Sequence, residues 1–214
     1  QTGVLNNGLH FIIPEFNTSI KMAENLIIDF TPTGMIPTKS MTPFVPVSVS
    51  EVVEDVHYAY ELGITKVHLH ARDDKTGLPT YKKDIYAGII EGIRKYAPDL
   101  VICVSLSGRT FNKFEERSEA LELVGHLKPD MGSLTLSSLN FNKIASINTP
   151  DMIQSLASKM KDLGIVPELE AFDAGMINFA KYLIKKGISF FNYSGHGDAQ
   201  GWLDPKIKVP DVDL

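Results

Sequence analysis

The chain has 214 residues, 43% of them hydrophobic, which is enough for one sizeable core and does not demand a second domain. A net charge of −5 and a pI near 5.7, with no dense Lys/Arg run interleaved with aromatics, argue against a nucleic-acid footprint and favour small-molecule chemistry. The single cysteine, Cys103, excludes an internal disulfide and suits a reducing cytoplasm; inside the apolar run Leu100 to Leu106 it reads as a buried, inert thiol. No apolar run approaches the roughly 18 residues of a membrane span. The polar start, Gln1 to Asn7, lacks the regions of a signal peptide, and a first residue other than Met makes a missing initiator region the expectation.

Residues 1–24 show little periodicity and are expected to form an N-terminal arm. Asn25 to Thr31 predicts a buried strand opening into Thr31-Pro32-Thr33-Gly34, a loop that would face a site, with Thr33 at the strand end. Ser48-Val49-Ser50-Glu51 fits a capping box, and the helix it starts carries an apolar stripe of Val49, Val52, Val53 and Val56 before Gly63 stops it. Thr65 to His70 is the second predicted strand, followed by a polar loop over Ala71 to Thr80. A helix with Ile85, Ile89, Ile90 and Ile93 on one face comes next, and then a third strand over Leu100 to Leu106. An acidic helix is predicted around Glu115 to Leu127, its charges on a solvated face, and a fourth strand over Met131 to Leu136. Thr149-Pro150 caps a helix running to Gly164. Val166 to Phe172 forms the fifth strand, Gly175 to Lys186 a helix, and Ile188 to Tyr193 a sixth strand.

Alternating strand and helix at this spacing implies a parallel β/α architecture. Every predicted strand end is polar: Thr33, His68 with His70, Ser105, Ser133 with Ser137, Glu168 with Glu170, and Asn192. That ring of polar ends favours a TIM (β/α)8-type barrel over an open doubly wound sheet, although only about six β/α units can be counted where closure needs eight.

The densest chemistry lies in Val67-His68-Leu69-His70-Ala71-Arg72-Asp73. On a strand, side chains alternate, so His68 and His70 leave the same face, one pleat apart, as two ligands of a metal would. Zinc is the natural ion for such a pair, although a catalytic zinc usually takes three protein ligands. Arg72 and Asp73 also fit a plain salt bridge. Glu168 and Glu170 likewise share a face in an apolar setting, which is costly without a cation, a metal or a proton, so at least one of them is expected to serve a site. Ser105, Ser107 and Arg109 suit an anion cradle.

These motifs, together with Thr33-Gly34, Gly77 and Pro79, Pro129-Asp130-Met131, Ser138-Leu139-Asn140-Phe141 and Pro167-Glu168-Leu169-Glu170-Ala171-Phe172-Asp173, resemble in order those of the β-keto acid cleavage enzymes, whose founding activity is 3-keto-5-aminohexanoate cleavage. The resemblance covers about residues 25–190. It implies a zinc-dependent barrel that converts a β-keto acid and acetyl-CoA into acetoacetate and a new acyl-CoA. By position it makes His68 and His70 zinc ligands, Glu170 the catalytic glutamate of strand five, and Ser105 and Ser133 hydroxyls around the substrate; Thr33 and Arg109 complete the candidate substrate contacts. Where the founding activity has a glutamate suited to a substrate ammonium, this chain has Ile36, so a cationic substrate is not expected. The family continues into a late Gly-Gly-His-x-Arg-x-Gly-x-Glu-Asp-Asn block carrying a third zinc ligand, a general base and an arginine. Nothing after Tyr193 matches it, and residues 194–214 are expected to be a tail outside the family pattern. Two other functions stay open: a truncated, catalytically incomplete barrel that binds metal or small anions, and a CoA-independent zinc hydrolase or lyase. A homo-oligomer is expected, with no nucleic-acid or membrane partner.

Overall fold

The computed structural model describes residues 26–188. The arm over 1–24, the tail over 194–214 and all but the first residue of the sixth predicted strand lie outside these residues. The described elements are β1 (Asp29–Phe30), α1 (Val49–Glu61), β2 (Lys66–Leu69), α2 (Lys83–Arg94), β3 (Val101–Val104), α3 (Phe114–Ser118) and β4 (Met131–Thr135). They continue with β5 (Leu139–Asn140), β6 (Ala145–Ser146), α4 (Pro150–Leu163), β7 (Val166–Glu170) and α5 (Ala174–Lys185). Two 3₁₀ turns, Glu119–Glu122 and Gly125–Leu127, separate α3 from β4.

Helix starts follow their local chemistry. Glu51 N–H donates to Ser48 Oγ at 3.2 Å while Ser48 N–H donates to Glu51 Oε2 at 3.0 Å, a complete capping box on α1. Met152 N–H donates to Thr149 Oγ1 at 3.2 Å with Pro150 behind the cap, and Gly164 closes α4 in the left-handed region at φ 61°. Asp173 is the N-cap of α5, accepting from Met176 N–H at 2.8 Å, so its carboxylate serves the helix and not the site. The acidic helix expected over Glu115 to Leu127 is only α3 followed by the two 3₁₀ turns, because Leu123 turns to an extended backbone and Gly125 takes a positive φ. The hairpin β5–β6, unexpected from the sequence, is inserted between β4 and α4.

Five strands pair in parallel in the order β1-β2-β3-β4-β7, with no reversal. A doubly wound sheet would reverse at a switch point, whereas a barrel adds strands in sequence. Curvature points the same way. β2 and β7 stand three strand positions apart, about 14 Å on a flat sheet, yet Lys66 and His68 of β2 both reach Glu168 of β7. The fold is the barrel type, represented among the described residues by an arc of five strands.

The pleat separates the two faces. Val67, Leu69, Ile102, Val104 and Leu134 point outward and are fully buried against Val52, Val56, Ile89, Ile90, Ile93, Leu156 and Met160 of the helices. Lys66, His68, Cys103, Ser133, Thr135, Glu168 and Glu170, two residues apart along their strands, occupy the concave side. Gly132 admits α4 closely: a Cβ there would sit 2.9 Å from Met160 Sδ. No helix among the described residues is long and apolar enough to cross a membrane.

Candidate active site and metal centre

His68, His70, Glu168 and Glu170 line one open cleft of about 480 Å³, with Thr31, Leu169, Ala171 and Phe172 completing its walls. The imidazoles of His68 and His70 stack with centroids 5.0 Å apart and 30° between planes. They differ in what holds them. His68 Nδ1 meets Glu168 Oε2 at 2.6 Å, whereas His70 Nδ1 is buried and has no hydrogen-bond partner among the described residues. Burial, then the charges of His68, Arg72 and Arg109, push the His70 pKa down to about 3, so this ring is a neutral donor at any ordinary pH. For His68, burial opposes the charge, but the hydrogen bond and charge of Glu168 outweigh it and raise the pKa.

Glu168 is the hub of this face. Its Oε1 takes Lys66 Nζ, and its Oε2 takes His68 Nδ1 and the Cys103 thiol, whose Sγ is 3.4 Å away. Lys66 in turn bridges to Asp29 Oδ2 at 2.7 Å. Burial disfavours the Glu168 charge, but the bonds and charges of His68 and Lys66 win and hold its carboxyl well below the usual range. Burial, reinforced by the Glu168 charge, pushes the Cys103 thiol well up, so the sulfur stays a neutral S–H.

These donors fit a divalent ion in one of two ways. His68, Cys103 and Glu168 place ligand atoms within 4.8 Å of one another. In that set, however, both carboxylate oxygens are already engaged and the thiol is protonated, while zinc takes thiolate. The His68/His70 pair suits the ion better: a neutral ring with an orphaned buried nitrogen, beside a ring whose Nδ1 is held by a carboxylate, the usual arrangement behind a metal-bound imidazole.

The other candidates are less concentrated. Glu170 accepts from the Thr135 hydroxyl at the cleft wall. Ser133 is buried, its Oγ accepting Leu106 N–H at 3.0 Å. Thr33 is buried with its hydroxyl unpartnered among the described residues. Ser105 lines a small separate cavity with Tyr86, Phe111 and Arg117, and Arg109 lies over the Phe141 ring at 3.4 Å from its centroid. Thus the histidines and glutamates share the cleft, whereas Thr33, Ser105, Ser133 and Arg109 do not line it. Arg72 makes no salt bridge to Asp73: it is fully buried and donates to the carbonyls of Gly34, Pro37 and Gly77, the last two at 2.9 Å, pinning the Thr33 loop. Asp73 instead closes its own turn on Thr76 N–H at 2.8 Å. Lys66, Asp29 and Thr135 carried no sequence signal for the site.

Relatives place this geometry. The chain is 44% identical over 157 residues to 3-oxoadipate:acetyl-CoA acetyltransferase of Cupriavidus necator, covering 73% of the chain and 53% of that enzyme. It is 36% identical over 165 residues to 3-keto-5-aminohexanoate cleavage enzyme of Acetoanaerobium sticklandii, covering 77% and 59%. Among solved structures, apo ObcA superposes with a TM-score of 0.62 at 20% identity over 68% of this chain and 34% of ObcA. The chain therefore spans little more than half the length of these two sequence relatives. The profile of the beta-keto acid cleavage enzyme family matches residues 25–193, and the chain belongs to that family.

Proposed function

We propose that the chain carries the metal-binding half of a β-keto acid cleavage site, in which a β-keto acid and acetyl-CoA become acetoacetate and a new acyl-CoA. The observation that supports this most is the convergence in one cleft of His68 and His70, with Glu168 behind His68 and Glu170 beside them. His68 and His70 would hold zinc, which when bound supplies a Lewis acid for the keto and carboxylate oxygens. In this reading Glu170 is the proton carrier: its carboxylate takes the proton from the carbon between the substrate's keto and carboxylate groups and later returns it to acetoacetate. Thr135 holds the Glu170 carboxylate in place. The resulting carbanion attacks the thioester carbon, a C–C bond forms, and CoA thiolate leaves; the thiolate then adds to the keto carbon, and breakage of the original C–C bond releases acyl-CoA and acetoacetate. Ser105, Ser133, Thr33 and Arg109, outside the cleft lining as it stands, would be the substrate-binding groups.

The substrate we favour is anionic or neutral. The 44% relative is named for 3-oxoadipate, a dicarboxylate, and Ile36 offers no charge to an ammonium. We also assign the chain to the cytoplasm, on its single cysteine, and to a homo-oligomer, on the edges of β1 and β7 that no strand among the described residues pairs.

Mass spectrometry of the purified chain with 3-oxoadipate, with and without acetyl-CoA, tests the activity. The proposal expects acetoacetate and succinyl-CoA in the presence of acetyl-CoA alone. Turnover without CoA would overturn it in favour of a hydrolase or lyase, and zinc uptake without any turnover would overturn it in favour of a catalytically incomplete barrel.

A further inference from the structure

We infer that Lys66 is a positioning residue of the metal site, acting through Glu168 to fix which nitrogen of His68 is free to coordinate. The inference rests on the assignment of His68 and His70 as the metal pair.

Lys66 and His68 leave the same face of β2, and both reach the one carboxylate that β7 presents across the concave side. The division of labour on Glu168 is unequal. Lys66 takes Oε1, which leaves Oε2 facing His68 Nδ1 at 2.6 Å and the Cys103 thiol at 3.4 Å. Asp29 holds the far side of the Lys66 ammonium at 2.7 Å, so the lysine is anchored from two strands. A carboxylate with one oxygen unheld can rotate away from its partner, whereas Lys66 on Oε1 fixes the plane of the group so that Oε2 faces His68 Nδ1. A carboxylate oxygen held there only accepts. It therefore demands a proton on His68 Nδ1 and leaves Nε2 bare. The same contact splits the two glutamates of β7. Glu168 is saturated by Lys66, His68 and Cys103, while Glu170 accepts from Thr135.

Two measurements on the full chain test this. In the metal-free wild type at alkaline pH, where the ring is neutral, long-range proton–nitrogen correlation NMR should find the His68 proton on Nδ1. In Lys66→Met, zinc affinity measured by competition with a chromophoric chelator should fall about tenfold, the scale typical of groups behind a metal ligand, and the Nε2–H form should become populated. Lys66→Arg, which keeps the cation, should restore both. An Nε2–H tautomer in the wild type overturns the inference, as does a Lys66→Met chain that folds and binds zinc as tightly as the wild type. Should Lys66→Met fail to fold, the wild-type tautomer and Lys66→Arg still decide. A wild-type chain that takes up no zinc sinks the assignment of the metal pair, and the tautomer result then stands alone on Lys66.

Discussion

Two histidines and two glutamates, the members of each pair two residues apart, line the candidate site, and each pair is divided by its surroundings. His70 has a buried nitrogen without a partner among the described residues and a pKa pushed down to about 3, whereas His68 is tied to Glu168. Glu168 collects three donors, and Glu170 accepts from the Thr135 hydroxyl. Glu170→Gln preserves shape and removes the charge. We expect it to lower turnover by about 10²- to 10⁴-fold, the range for one carboxylate in proton transfer, with zinc content unchanged; steady-state rates beside metal analysis check both halves, and lost zinc would make Glu170 a ligand. Both pairs were legible because strand alternation places residues i and i+2 on one face whatever the fold around them. Lys66, Asp29 and Cys103 were not: Lys66 and Cys103 reach Glu168 across 102 and 65 residues, Asp29 reaches Lys66 across 37, and no local pattern encodes that meeting.

Elements whose boundaries depend on local chemistry were also readable. The Ser48/Glu51 box and the Thr149-Pro150 cap start their helices where expected. The capping box gives a pH prediction. Glu51 sits at about 2, held there first by Lys39 and then by the Ser48 and Val47 amides. Its folded pKa is below the unfolded value, so its contribution is present above about 4.5 and is lost as pH falls from there towards 2. Thermal melts across that acid range should show Glu51→Gln, already lacking the charge, losing less stability than the wild type; equal losses would remove Glu51 from the account. The misread element is α3. Arg117, expected on a solvated face, is buried and donates to Leu106 O at 2.8 Å, Asn148 Oδ1 at 2.7 Å and Ile147 O at 3.2 Å, tying the Ser105–Arg109 loop to the hairpin. Gly108 permits this closeness, since a Cβ there would lie 2.5 Å from Ile147 O. Arg117→Met strands these acceptors in the interior and should cost about 3 kcal/mol, measured by denaturant unfolding; a loss near zero would mean that water replaces the guanidinium. Nothing in a Glu-Glu-Arg sequence signals such a burial, because the carbonyls it serves belong to segments brought in by tertiary packing.

For the whole molecule, the ring of polar strand ends anticipated a barrel, and the sequential strand order with Glu168 bridged to β2 gives that expectation its physical form. All five strands of the arc fall within runs expected as strands, although β1 is only two residues long. The chain belongs to the beta-keto acid cleavage enzyme family, and in the proposed reading His68 and His70 of the cleft would bind the ion and Glu170 would carry the proton. The claim at the centre is that His68 and His70 together hold the ion. Metal content after equilibration with zinc and removal of the excess tests it most directly. The account predicts about one zinc per chain in the wild type and in Glu170→Gln, and its loss in His70→Ala; a His70→Ala chain that keeps its zinc would contradict it.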